Sequence, residues 1–113
     1  MITDKAKERI IQHLKTTYTR MQVGAGGDST NPASTSLDVP IQASIVNLNA
    51  YDTGNSVEFE GMINGSSLVG YNIKEVGILK SVGNELLCRI PFENIGPFTS
   101  TDSLEVNIVM VVE

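Results

Sequence analysis

Apolar residues in this chain follow two spacings, and the change from one to the other divides it. Between Ile2 and about Thr17, Ala6, Ile10 and Leu14 recur every fourth residue, and Ile11 widens the stripe. That spacing lines them up on one side of an α-helix. Lys5, Lys7, Glu8, Arg9, Gln12 and Lys15 occupy the remaining face, and Thr3 or Asp4 can cap the free amides of the first turn. The β-branched pair Thr16-Thr17 then favours extended structure, with a short extended stretch expected from Tyr18 to Val23. A helix with one narrow stripe is not stable alone in water. It must pack on its own domain or on a neighbouring chain.

From Leu37 onward the spacing is two, the period of a half-buried strand. Leu37, Val39, Ile41, Ala43 and Ile45 alternate with Asp38, Pro40, Gln42 and Ser44, and Pro40 suggests an edge position. Val57, Phe59, Gly61 and Ile63 alternate with Glu58, Glu60 and Met62. Tyr71 to Leu79 forms a further strand, joined through the turn at Val82-Gly83-Asn84 to a run from Glu85 to Phe92. In that run Leu86, Cys88, Ile90 and Phe92 are expected on one face and Leu87, Arg89 and Pro91 on the other. The last strand carries Leu104, Val106, Ile108, Met110 and Val112 against Glu105 and Asn107. Val109 and Val111 make its end apolar on both faces, which predicts a central strand or one covered by another subunit. Asp52 to Asn55, Asn64 to Ser67 and Asn94 to Asp102 supply turns and loops.

Between helix and strands lies a run of small, polar and turn-forming residues, Gly24 to Ser36. It has too little apolar area to fold by itself and reads as a surface loop. Loops this long in small domains are often binding or assembly elements. The chain is thus expected to be mainly β: an antiparallel β-sandwich of about five to six strands with one N-terminal α-helix. Residues 1–113 form a single domain in this reading, with the helix over 1–17, the extended polar loop over 24–36 and the sandwich over 37–113.

Composition narrows the function classes. A chain of 113 residues that is 41% hydrophobic and 19% charged has the makings of one real core. Its net charge of −5 opposes nucleic-acid binding, which needs a clustered basic surface. Lys5, Lys7, Arg9, Lys15 and Arg20 do gather in the first twenty residues, but Asp4 and Glu8 dilute them. No run approaches the roughly 20 apolar residues that span a bilayer. The amphipathic N-terminus is not the apolar core of a secretion signal, so synthesis and folding in a host cytoplasm are expected. The lone Cys88, within an apolar run, reads as a small buried hydrophobe.

Candidate chemistry is sparse. Gly24-Ala25-Gly26-Gly27 lacks the third glycine of a dinucleotide loop, since Ser29 stands there, and the Gly-Lys-Ser/Thr end of a P-loop. His13 is the only histidine, so a metal site would have to be built without a second one. Asp28 and Asp38 flank the loop without calcium-loop spacing and suit local backbone amides. Glu58 and Glu60 share a strand face about 7 Å apart by strand geometry. Such a pair could run acid–base hydrolysis only in a cleft, and a solvated face is the simpler reading. Glu75, among Ile73, Val76, Ile78 and Leu79, is either an exposed tooth of its strand or a partly buried carboxylate paired with Arg89. No catalytic residues, cofactor-binding residues or metal ligands are expected.

Read in order, these segments resemble the N-terminal attachment region of phage tail-collar fibre proteins and related tail and baseplate components. The quoted likeness runs through Val23-Gly24-Ala25-Gly26 and the loop from Thr30 to Ser36, ending at Leu37-Asp38-Val39-Pro40-Ile41. It continues through Tyr71-Asn72-Ile73-Lys74-Glu75-Val76-Gly77-Ile78-Leu79, then Glu85 to Phe92, and closes with Ser103 to Ile108. The resemblance implies a structural virion protein of a phage tail, baseplate or neck, located in the virion. It would act as an adaptor contacting other tail, baseplate or fibre proteins, often as a homo-oligomer, with no cofactor, catalysis, nucleic acid or membrane. Such modules usually continue into a long fibre, so ending at Glu113 suggests a stand-alone adaptor. The alternative is a carbohydrate- or receptor-binding β-module relying on Tyr18, Tyr51 or Tyr71.

Overall fold

A computed structural model describes residues 1–26 and 36–113. Most of the expected polar loop, including Asp28, lies outside the described residues. Helix α1 spans Asp4–Thr17 and runs without a break into strand β1, Tyr18–Gly24. The strands that follow are β2 (Val46–Asn47), β3 (Asn49–Asp52), β4 (Ser56–Asn64), β5 (Ile73–Lys80), β6 (Leu86–Ile95) and β7 (Ser103–Val111). They form two antiparallel sheets, ordered β2-β1-β5-β6 and β3-β4-β7. The mainly β fold with one N-terminal helix is therefore present. The expected span is corrected at its start: β1 lies inside the four-stranded sheet, so the sandwich begins at Tyr18 rather than Leu37.

Both sheets contribute to one core. Met21, Val23, Val76 and Ile78 come from the first, and Val57, Phe59, Ile63 and Ile108 from the second. The alternation along β4 is as expected, with Val57, Phe59, Gly61 and Ile63 buried. Gly61 has a packing reason: a Cβ there would stand 2.7 Å from Met21 Cε and 2.9 Å from Leu48 Cδ2, both from the facing layer. The turn between β3 and β4 uses Gly54 at φ +80°, and the turn between β5 and β6 uses Gly83 and Asn84 in the left-handed region. That conformation suits glycine and, less well, asparagine.

Helix α1 matches the expected stripe except at Ile10. Thr3 is its cap, accepting a hydrogen bond from the Ala6 amide at 3.2 Å. Of its apolar residues Ile11 is the one fully buried, Leu14 packs beside it, and Ile10 stays 40% exposed. The helix is rolled so that Ile11 and Leu14 meet the sheets and Ala6 is half-buried, whereas Ile10 turns outward. Lys15 Nζ ties its far end to Asp52 Oδ1 at 2.6 Å. That bond and the lysine's charge hold the Asp52 carboxyl below its ordinary value.

Residues 37–45 correct another expectation. They do not form one regular strand. Pro40 makes an isolated bridge to Gly24, and Gln42–Ser44 turn as a short 3-10 helix. Proline has no amide to give to a ladder. Ser44 substitutes for the missing strand: its buried Oγ accepts from the Val23 amide at 3.0 Å and donates to the Ile41 carbonyl at 2.6 Å. Leu37, Ile41 and Ser44 are buried, whereas Val39 and Ala43 are exposed.

Two β6 irregularities shift its register against β5. Ile78 opposes Cys88 but Leu79 opposes Leu86, so Leu87 is the extra residue of a bulge. The expected faces are corrected accordingly. Leu87 turns toward the core with Cys88, and Leu86 joins Arg89 and Pro91 on the outer face, opposite Leu79, Gly77 and Glu75.

Candidate functional site

The chain segments on either side of the polar loop meet on the outer face of the β1-β5-β6 sheet. At their centre is Glu75, which is completely buried. Its register partner on β1 is Gly24 and on β6 Pro91. The segment leaving the loop crosses above it. One carboxylate oxygen accepts from the Asp38 amide at 2.9 Å and from Arg89 Nε at 2.9 Å. The other accepts from the Val39 amide at 2.9 Å, with the Gly26 amide at 3.4 Å. Arg89 in turn reaches Asp38 Oδ2 at 3.2 Å through Nη2. A buried carboxylate is costly unless hydrogen-bonded and paired, and here both conditions hold.

Two glycines make room for this clamp. A Cβ on Gly24 would collide with Glu75 Oε2 and lie 2.6 Å from the Val39 carbonyl. A Cβ on Gly77 would lie 2.6 Å from Leu86 Cδ2 and 3.0 Å from Leu37 Cδ2. Leu37 and Leu79 are buried yet outside the central core, so they belong to a second, smaller apolar layer under the returning segment. Backbone bonds complete the closure: Ala25 N–H donates to the Val39 carbonyl at 2.9 Å and Ile41 N–H to the Val23 carbonyl at 3.1 Å. The arrangement fixes residues 23–26 and 37–41 to one spot on the sheet.

A second feature lies at the flank where both sheets end. β6 and β7 are each edge strands, so β7 is not central, which corrects one of the two expectations for it. Between them runs a groove of about 390 Å³ lined by Ile90, Phe92, Ile95, Leu104 and Val106, with Glu93 and Glu105 also in its wall. β6 carries Pro91 and two bulges, devices that discourage strand pairing, while β7 pairs with β4 in unbroken register. On the outer face of β7, Val109 and Val111 are 59% and 55% exposed.

The other residues weighed in the sequence do not converge. Glu58 and Glu60 sit on the outer face of β4, beside Tyr51 and Asn49 on one side and Val109 and Asn107 on the other. His13 is exposed on α1, its Nδ1 3.4 Å from Thr17 Oγ1. Cys88 is half-buried, and desolvation pushes its thiol above the ordinary value, which disfavours the nucleophilic thiolate. Tyr18 packs against the core, whereas Tyr51 and Tyr71 are exposed on β3 and in the connection before β5. Among the described residues no group of three His, Cys, Asp or Glu could hold a metal ion, and no helix is long and apolar enough to cross a membrane. A larger cleft of about 760 Å³ lies between the N-terminal half of α1 and the β3–β4 turn, with Lys5, Lys7, Glu8 and Asp52 in its walls.

The Glu75–Arg89 pair was one of two readings open in the sequence. The amides of Asp38 and Val39 and the β6–β7 groove were missed. Pro91 inside an apolar run was the available signal for an edge at β6. No protein-family model and no curated protein matches this chain.

Proposed function

We propose that the protein is a structural component of a phage tail, baseplate or neck, an adaptor that joins neighbouring particle proteins through its polar loop and its uncovered apolar strands. One observation carries the reading. Gly24, Gly26, Leu37, Asp38, Glu75 and Gly77, drawn from three separate stretches of the quoted resemblance, meet in a single clamp around Glu75. Residues spread over half the chain that serve one local purpose give the resemblance a physical content that isolated short motifs lack. The purpose fits attachment: a loop with both ends fixed can present its middle to a neighbour at lower ordering cost than a free segment.

The β6–β7 flank supports the same reading, because grouped apolar side chains beside edge strands suit a partner protein better than water. Immunogold labelling of purified particles from a source that carries this sequence tests the proposal. Label on the tail, baseplate or neck is the expected result. Particles that assemble fully and contain no copy of the chain by mass spectrometry would refute it.

A further inference from the structure

The roll of α1 toward Ile11 leaves Ile10 40% exposed, with the half-buried Ala6 one turn before it and the exposed Ile2 preceding both. Arg9 flanks Ile10 on the outward side by helical geometry and makes no ion pair among the described residues, while the half-buried Lys7 lines the cleft against the β3–β4 turn.

Across the molecule is a surface of opposite charge. The β6–β7 groove is apolar along Ile90, Phe92, Ile95, Leu104 and Val106, and its charged lining residues are Glu93 and Glu105. Those carboxylates also lack ion pairs among the described residues. The two surfaces cannot meet within one copy. α1 packs on β1, β3 and β4, whereas the groove lies at the far ends of both sheets.

We infer that the chain associates with itself head to tail, α1 of one copy laying Ala6 and Ile10 into the β6–β7 groove of the next. Arg9 then faces Glu93 and Glu105. A helix laid by its apolar face in a hydrophobic groove is a recurrent recognition mode, and opposed charges fix its register. The contact joins unlike surfaces, so it repeats, closing into a ring or extending as a filament. The occupant is a second copy because this chain carries both halves of the complementary pair. The inference deepens the assembly reading by naming a self-partner, yet its test needs only purified protein. Failure to self-associate and absence from particles are therefore separate results.

Analytical ultracentrifugation of the full chain at high micromolar concentration tests it, with circular dichroism to check folding. The wild type is expected to form concentration-dependent oligomers. Ile10→Glu, and separately the double variant Glu93→Lys with Glu105→Lys, should each raise the concentration for half-association by more than about tenfold. All three positions are exposed, so the fold should persist. Mixing the two variants gives the sharpest outcome: each keeps one intact surface, so they should form a one-to-one dimer and nothing larger. A monomeric wild type, or a mixture that forms no complex, overturns the inference. So does an oligomer that survives Ile10→Glu unchanged, because that result assigns association to a surface other than α1.

Discussion

Glu75 is a fully buried carboxylate with donors on both oxygens. Water is excluded from it, and its two oxygens answer donors from the segment leaving the loop and from the neighbouring strand. An apolar residue there would leave the Asp38 and Val39 amides without their acceptor. Glu75→Gln keeps the shape but aims an amide NH2 at donors and removes one of the two carboxylates that Arg89, 8% exposed, bridges. Breaking a buried pair by changing one member costs about 3–5 kcal/mol. Urea unfolding of Glu75→Gln should show a loss at or near that range, and the Asp38 and Val39 amides should lose protection from hydrogen exchange. Unchanged protection would mean that the carboxylate does not hold the segment. The pairing with Arg89 was legible because both residues lie on strands joined by a tight turn. The two amides were not, because residue types do not encode which way a loop stem's backbone points.

At the scale of elements, the regular strands were the readable part. β4 and β7 alternate without a bulge, and their inward residues match the period of two. Legibility failed where a single residue altered the geometry. Leu87 inserts into β6 and exchanges the faces of its neighbours, and Pro40 with Ser44 replaces a strand by a turn and a side-chain bond. Period alone also could not say which of two adjoining lines on α1 would meet the sheets. Ile10 and Ile11 are chemically identical, and only tertiary packing separates them. Ile11→Ala should accordingly destabilise the protein by about 2–5 kcal/mol. Ile10→Ala should stay within about 0.5 kcal/mol in the monomer. Paired thermal or urea unfolding curves check this, and equal losses would show that the helix sits differently.

Taken whole, the molecule is a core sealed between two sheets, with its exceptional features on the outside. The clamp around Glu75 holds Gly26, Asp38 and Val39 together, and the β6–β7 flank leaves apolar side chains beside two edge strands. Of the residues weighed for chemistry, Glu58 and Glu60 stand on β4, Cys88 on β6 and His13 on α1. The basic residues of the first twenty positions do not gather in one place: Lys15 pairs with Asp52, and Arg20 reaches Asn84 in the β5–β6 turn. Cryo-electron microscopy of the assembled particle tests this account most directly. It should show protein density filling the groove lined by Phe92, Ile95 and Leu104, and a neighbour touching residues 27–35. A map in which both regions face open solvent while the chain is held by other surfaces would contradict it.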